Sequence, residues 1–327
     1  MEKILIITSK PDLHADYLEE KLNKCEIKFV RFNADELSNR FLVTYTGDSG
    51  HIILETKDGK KYELFKPNEI TAVWFRKPFL TKFDRIKQNT NIAFAGRETD
   101  AYLQDVYFCL SKSECKWINR PEFNRVADNK ILQLRLAKQL GLCTPKTIVS
   151  NDAEEVLKFS KRLNPKYLIY KTLSHPFISE TKETFRSVFT SRLEISPQTM
   201  ESIKFAPCLI QEQIDKDHEL RITIIGNRLF TVRIFSQDNL STKIDWRRDQ
   251  HKIKLRQELS TLDSNIERMC FQLLKQLNLI FGTIDMIVTP TGEYVFLEVN
   301  PNGQWLWIET ILGAPISDAL ITELVSV

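Results

Sequence analysis

The chain has 327 residues, 42% of them hydrophobic, which suffices for one large core or two to three modest ones and excludes a disordered or fibrous protein. Lys plus Arg number 46 against 43 for Asp plus Glu, a formal net charge of +3 without a long block of one sign, so no nucleic-acid partner is expected. The apolar run 4–7 is too short for a signal-peptide core, and no later segment approaches the ~20 apolar residues that span a bilayer, so the expectation is a cytoplasmic protein without a membrane partner. The six cysteines (25, 109, 115, 143, 208 and 270) form no C-x-x-C pair and the five histidines no H-x-x-x-H, which predicts reduced thiols and no zinc site.

In chain order, residues 3–7 read as a strand, 12–24 as an amphipathic helix and 27–32 as a second strand, an α/β opening. Residues 41–46 and 51–56 alternate with period two across GDSG and predict a hairpin, with a further turn at KDGK. A buried strand at 70–75 and a long helix at about 91–111 follow, and WINRP (117–121) closes the segment. In ADNKILQLRLAKQLGL, Asp128 is a candidate cap, Ile131, Leu132, Leu136 and Leu140 fall on one face, and Gly141 ends the helix. A short strand TIV, a helix at 152–163 and the strand YLIYKTL complete a small mixed unit. From Cys208 the strands lengthen: LIQEQI, ELRITIIG, LFTVRIF, FGTIDMIVTP and YVFLEVN, interrupted by a helix at 265–277. Three α-plus-β units result, 1–118, 119–207 and 208–327, with no internal repeat.

Several polar residues do not belong in such strands. By alternation, Phe296, Glu298 and Asn300 share one face of YVFLEVN, and the hairpin turn TPTGE brings Asp285 of the preceding strand alongside. Three oxygen ligands then converge, a set that suits magnesium completed by waters and phosphates; the alternative is a satisfied buried Asp285 and a solvent-facing Glu298. Lys171 sits among aromatic and aliphatic residues and needs an anionic partner if buried, or snorkels to solvent if at an edge. Lys130 in a first helical turn opposes the helix dipole, a conflict that a shared anion would relieve. Glu219 and Arg221 share a face that Thr223 continues, either a cross-strand pair or a site feature, and Gln211, Glu212, Gln213 and Ile214 stand where one unit passes to the next.

Two lysines, a Q-E-x-I segment, an acid soon after it, and an Asp followed by Glu-x-Asn on the next strand resemble, in this order, the ATP-grasp ligases from about Asn119 onward. FLEVNPNGQWLWIE and STKIDWRR (241–248) are more narrowly similar to the maturases of microviridin-class peptides, the graspetides. The resemblance implies an α/β (α+β) ATP-grasp fold: an N-terminal strand-helix pre-grasp domain (1–118), a central subdomain (119–207) and a C-terminal antiparallel-sheet subdomain (208–327). It implies ATP phosphates on Lys130 and Lys171, adenine facing Gln211 to Ile214, ribose on Glu219, and Mg2+ on Asp285, Glu298 and Asn300. Arg221 becomes the candidate for stabilising charge on an acylphosphate, with Lys243 and Arg247 as further candidates. The partner implied is a ribosomally made precursor, leader plus core, with Glu194 and Glu201 beside a helix-sized region 197–205 as candidate leader contacts; a homodimer is expected.

One departure from the superfamily is the loop LSHPFISETKETFRSV, which contains no glycine where many ATP-grasp proteins cover the triphosphate with a glycine-rich one; Ser174, His175 and Ser179 could contribute instead. The activity implied is joining of Glu or Asp side-chain carboxylates to Thr or Ser hydroxyls. The alternatives are an amide-forming ATP-grasp ligase and a non-enzymatic nucleotide-binding regulator, the latter disfavoured by the complete Asp285, Glu298 and Asn300 set.

Overall fold

The computed structural model describes residues 3–37, 39–64, 69–78, 90–164, 167–173, 177–179, 185–248 and 252–326, without the side chains of 90, 177–179 and 185. Among these residues no helix is long and apolar enough to cross a membrane.

The N-terminal part begins with β1 (Ile4–Thr8), α1 (Leu13–Lys24) and β2 (Phe29–Asn33). Asp12 caps α1 by accepting from the His14 amide at 3.1 Å, and Ala15, Leu18 and Leu22 recur at helical spacing on its buried side. The expected hairpin forms as β3 (Phe41–Thr46) and β4 (His51–Thr56), joined by β5 (Lys61–Glu63) in a separate antiparallel sheet. β6 (Ala72–Phe75), α2 (Thr90–Ser111) and β7 (Lys116–Ile118) complete a parallel sheet of order β2-β1-β6-β7. Its strands are apolar on both faces because both are covered. Leu5, Ile7, Val73 and Phe75 pack with Leu103, Val106 and Leu110 of α2, whereas Ile4, Ile6 and Trp74 face α1 and the C-terminal helices.

The central part comprises α3 (Pro121–Ala127), α4 (Lys130–Gln139), β8 (Thr147–Ser150), α5 (Ala153–Leu163), β9 (Leu168–Lys171), the pair β10 (Phe177–Ser179) and β11 (Phe185–Ser187), β12 (Ser191–Leu193), α6 (Pro197–Ile203) and β13 (Cys208–Glu212). β10 and β11 pair antiparallel within the glycine-free loop; Ser174, His175 and the Ser179 side chain lie outside the described residues. The central sheet has the order β12-β9-β13-β8, so the strand from Cys208, expected to open the C-terminal unit, hydrogen-bonds into the central sheet instead.

Helix α4 differs from expectation in two respects. Its cap is Asn129, whose side chain accepts from Leu132 N at 3.0 Å, while Asp128 ends α3. Its fully buried positions are Gln133 and Ala137, and Ile131 is exposed. Leu132, Leu136 and Leu140 do pack against the core, as expected, and the most buried positions, Gln133 and Ala137, lie beside them.

The C-terminal part contains β14 (His218–Ile225), β15 (Arg228–Ile234), β16 (Gln257–Ser260), α7 (Ser264–Gln276), β17 (Phe281–Val288), β18 (Tyr294–Asn300), α8 (Leu306–Leu312) and α9 (Ile316–Val325). The antiparallel sheet runs β16-β15-β14-β17-β18. Leu220, Ile222, Ile224, Ile284, Met286 and Val299 fill a core shared with α7 and with residues of α4, which leaves Glu219, Arg221, Thr223, Thr283 and Asp285 on the opposite face. A register shift follows Asp285: Asp285 pairs with Glu298 but Met286 with Phe296, leaving Leu297 as the extra residue. Phe296 consequently turns into the core at 0% exposure, which corrects its expected place on the face of Glu298 and Asn300.

The turn after β18 fastens the molecule together. Trp305 is fully buried in the core shared by α1, α8 and α9, and its ring meets His14 edge-on at 5.2 Å. His14 Nε2 accepts from the amides of Trp305 and Leu306 at 3.2 and 3.3 Å. Gly303 lies so close to β17 that an added Cβ would come within 2.6 Å of Thr283 Cβ. Gly303→Ala is therefore expected to lower stability in urea unfolding by about 1–3 kcal/mol. Gly47→Ala, where a Cβ meets nothing within 4 Å, should change it by less than about 0.5 kcal/mol.

Candidate active site

A cleft of about 1150 Å3 opens over the polar face of the C-terminal sheet, walled by residues of the central part and reached by Lys77 of the N-terminal part. Asp285 and Glu298 are register partners across β17 and β18, and Asn300 stands opposite Thr283. The Asn300 amide nitrogen lies 3.2 Å from Asp285 Oδ2 and 3.4 Å from Glu298 Oε1, so the three expected ligands do converge. On the other side of β17, Arg221 is the register partner of Asp285: its Nη1 donates to both carboxylate oxygens at 2.9 Å, and its Nη2 donates to Gln304 O at 3.2 Å.

The second ion pair comes from α4, where Lys130 Nζ sits 3.2 Å from Glu298 Oε2. Lys171, the last residue of β9, also lines the cleft, as does Arg247, gripped by Asp245 through bonds of 2.9 and 2.8 Å. Burial acts to raise the Glu298 carboxyl, but Lys130, Lys171 and Arg247 together hold it at about 2. For Asp285, burial and the neighbouring Glu298 push upward against the pull of Arg221. Burial draws the Lys171 ammonium below the usual lysine range; Glu298 opposes this, while Lys130 and Arg247 add to it. Four cations, Lys130, Lys171, Arg221 and Arg247, thus face three carboxylates, Asp245, Asp285 and Glu298, and a polyanion would relieve the excess.

Two carboxylates and one amide fit a hard cation that takes its remaining ligands from water and phosphate. Among the described residues no group of three His, Cys, Asp or Glu side chains that could hold a metal is found. Ile169, Ile214, Ile287 and Leu297 give the cleft an apolar part of its lining, and Glu212, whose Oε1 accepts from Lys146 N at 2.8 Å, also lines it.

Other expected residues are placed differently. Gln211 is buried against Thr147 and Gln213 accepts from Arg192, so these two fall outside the cleft lining while Glu212 and Ile214 remain in it. Glu219 lines the cleft but is paired at 2.6 Å with Lys216. Lys243 is exposed and outside the lining, which corrects its expected place beside Arg247. Glu194 and Glu201 are exposed on the central part, Glu201 in a 2.6 Å pair with Lys204.

Gln133 had no place in the sequence reading. Its amide donates to Val299 O and accepts from Val299 N, both at 2.8 Å, and so continues the edge of β18 between Glu298 and Asn300. Its spacing of three from Lys130 was the available signal. Trp246 and Trp307, with centroids 5.8 Å apart, form an aromatic wall of the same cleft.

Residues 127–324 match the RimK-like ATP-grasp domain. The chain belongs to the RimK-like ATP-grasp family. It is accordingly an ATP-dependent ligase. By sequence, no curated protein matches it. Among solved structures it is similar to a RiPP-associated ATP-grasp ligase of Chryseobacterium gregarium, captured with ADP and a leader and core peptide, at 29% identity and a TM-score of 0.87 over 99% of this chain and 96% of that one. It is also similar to the macrocyclase MdnC of Microcystis aeruginosa, bound with precursor peptide MdnA, at 29% identity and TM-score 0.84 over 99% and 100% of the two chains. Macrocyclase MdnB of the same organism aligns at 24% identity and TM-score 0.80 over the whole of both chains, a likeness of fold. The resemblance to peptide-maturing ATP-grasp ligases thus extends beyond the grasp to the N-terminal part.

Proposed function

We propose that this protein uses ATP and Mg2+ to join Glu or Asp side-chain carboxylates of a ribosomally made precursor peptide to its Thr or Ser hydroxyls, closing ω-ester rings. The observation that carries this reading is the convergence of Asp285, Glu298 and Asn300 opposite Lys130 and Lys171 in a family member that resembles two peptide-bound ligases over nearly its whole length. Asp285, Glu298 and Asn300 hold Mg2+, which neutralises charge on the ATP phosphates. Lys130 and Lys171 bind those phosphates, Glu212 and Ile214 border adenine, and Glu219 takes the ribose.

A substrate carboxylate oxygen attacks the γ-phosphorus as ADP leaves, and Arg221 and Arg247 stabilise charge on the resulting acylphosphate. The peptide hydroxyl then attacks the acyl carbon, gives up its proton, and phosphate departs with the former carboxylate oxygen. The protein positions the groups and balances charge, and no protein nucleophile takes part. The leader docks near Glu194 and Glu201, beside the exposed Phe205, and the working assembly is a homodimer.

Incubation with ATP, Mg2+ and the short peptide encoded beside the gene should remove one water from the peptide per bond formed. Mild base should restore the water, since esters hydrolyse there; bonds that survive would identify amides and favour an amine acceptor. An unchanged peptide mass despite ATP consumption would contradict the proposal.

A further inference from the structure

Lys77 follows β6 at the carboxyl end of the parallel sheet, the end at which open α/β sheets present ligands. The preceding Arg76 is buried, and its Nη1 donates to the backbone carbonyls of Asn302 and Gly303, with Asp12 Oδ2 3.7 Å from its Nε. That fastens the end of β6 to the turn immediately after Asn300. Lys77 itself has φ of 41°, a left-handed conformation that a lysine adopts only where its surroundings impose it, and Ser9 Oγ donates to its carbonyl at 3.4 Å. Lys77 thereby lines the cleft that also holds Arg221, Asp285 and Asn300.

The Lys77 ammonium makes no ion pair with a described residue. The surrounding protein, together with Arg76 and Arg221, draws it down to about 8, against the weaker pull of Asp12 and Asp128. A cation crowded by two guanidinium groups is stabilised by an incoming anion. Lys130, Lys171 and Arg247 act on Glu298, and Arg247 acts on Asp285 as well; Arg221 grips Asp285 at 2.9 Å, and Lys77, which lines the same cleft, is repelled by Arg221. With phosphates on Lys130 and Lys171, an in-line attack brings the nucleophile from the side away from the leaving group.

We propose that Lys77 binds, beside Arg221, the peptide carboxylate that is to be phosphorylated. This inference rests on the peptide-ligase reading above. Its test compares wild type, Lys77→Met and Lys77→Arg in the presence of ADP and Mg2+. The probes are the precursor peptide encoded beside the gene and a form whose ring-forming acidic residues are replaced by their amides. Wild type should bind the acidic peptide about tenfold more tightly than the amide form, Lys77→Met should bind both alike, and Lys77→Arg should restore most of the difference. In turnover, Lys77→Met should raise KM for the peptide about tenfold while KM for ATP stays within about twofold. A Lys77→Met protein that keeps the wild-type preference overturns the inference, and so does one whose KM rises for ATP instead, since the anion is then a phosphate. If wild type leaves the peptide mass unchanged, the ligase reading fails and the inference falls with it.

Discussion

On the proposed mechanism, Glu298→Gln is expected to reduce peptide ligation by about 100-fold or more, because the substitution removes a charged ligand from the proposed Mg2+ site and leaves Lys130 and Lys171 without their shared anion. Turnover measured as ADP release, with peptide mass followed in parallel, reads this directly; retention of more than about a tenth of the rate would exclude Glu298 from the metal site. The same variant should change the acid limb of stability. In the folded protein Glu298 stays ionised down to about 2, whereas an unfolded glutamate protonates near 4.3. Its contribution is therefore present at neutral pH and lost as pH falls from about 4.5 to 2, with an upper bound of about 3 kcal/mol. The desolvation that draws Lys171 down offsets part of that amount. Glutamine does not titrate there, so urea midpoints of Glu298→Gln should fall less steeply with acid over this interval than those of wild type.

The largest loss of stability is expected at Asn119, which stands after β7 and whose buried amide is satisfied on both ends. Its Oδ1 accepts from the amides of Ile280 and Phe281, each at 2.9 Å. Its Nδ2 donates to Phe281 O at 2.8 Å, Asn124 Oδ1 at 3.0 Å and Pro301 O at 3.1 Å. One side chain thus joins the end of the N-terminal sheet to the first residue of β17 and to the residue after Asn300. Asn119→Ala strands these partners in a buried interior, so unfolding in urea should show a loss of about 3–6 kcal/mol. A change below about 1 kcal/mol would mean that the clamp is dispensable.

Why some of this was legible and some was not follows from the range of the interactions involved. The helix beginning near Asp12, the hairpin of β3 and β4, and the approach of Asp285 to Glu298 across a short turn are local events, and local pattern carried them. The bulge at Leu297 is local too, yet period-two alternation cannot announce an extra residue, and Phe296 was assigned to the wrong face for that reason. Asp and Asn both cap helices well, so the neighbouring Asn129 takes the role expected of Asp128 once its side chain accepts from Leu132 N. Alternation did contain the division of the hinge segment, since Glu212 and Ile214 share a face that Gln211 and Gln213 cannot.

Asn119, Gln133 and Arg76 are different. Their partners lie 162, 166 and 227 residues away, at Phe281, Val299 and Gly303, and nothing in the local pattern marks such reach. Trp305 joined the resemblance as part of NGQW, but its buried ring against His14 gives it a structural duty, holding α8 to α1. Glu298 and Asn300 line the cleft, as do Leu297, Gly303 and Gln304 of the same stretch.

The most direct measurement follows one oxygen. With the side-chain carboxylates of the precursor peptide enriched in heavy oxygen, a carboxylate attack on ATP predicts ADP and a phosphate that carries one heavy oxygen for each bond formed. Phosphate free of the label alongside a dehydrated peptide, or release of AMP, would contradict the acylphosphate route.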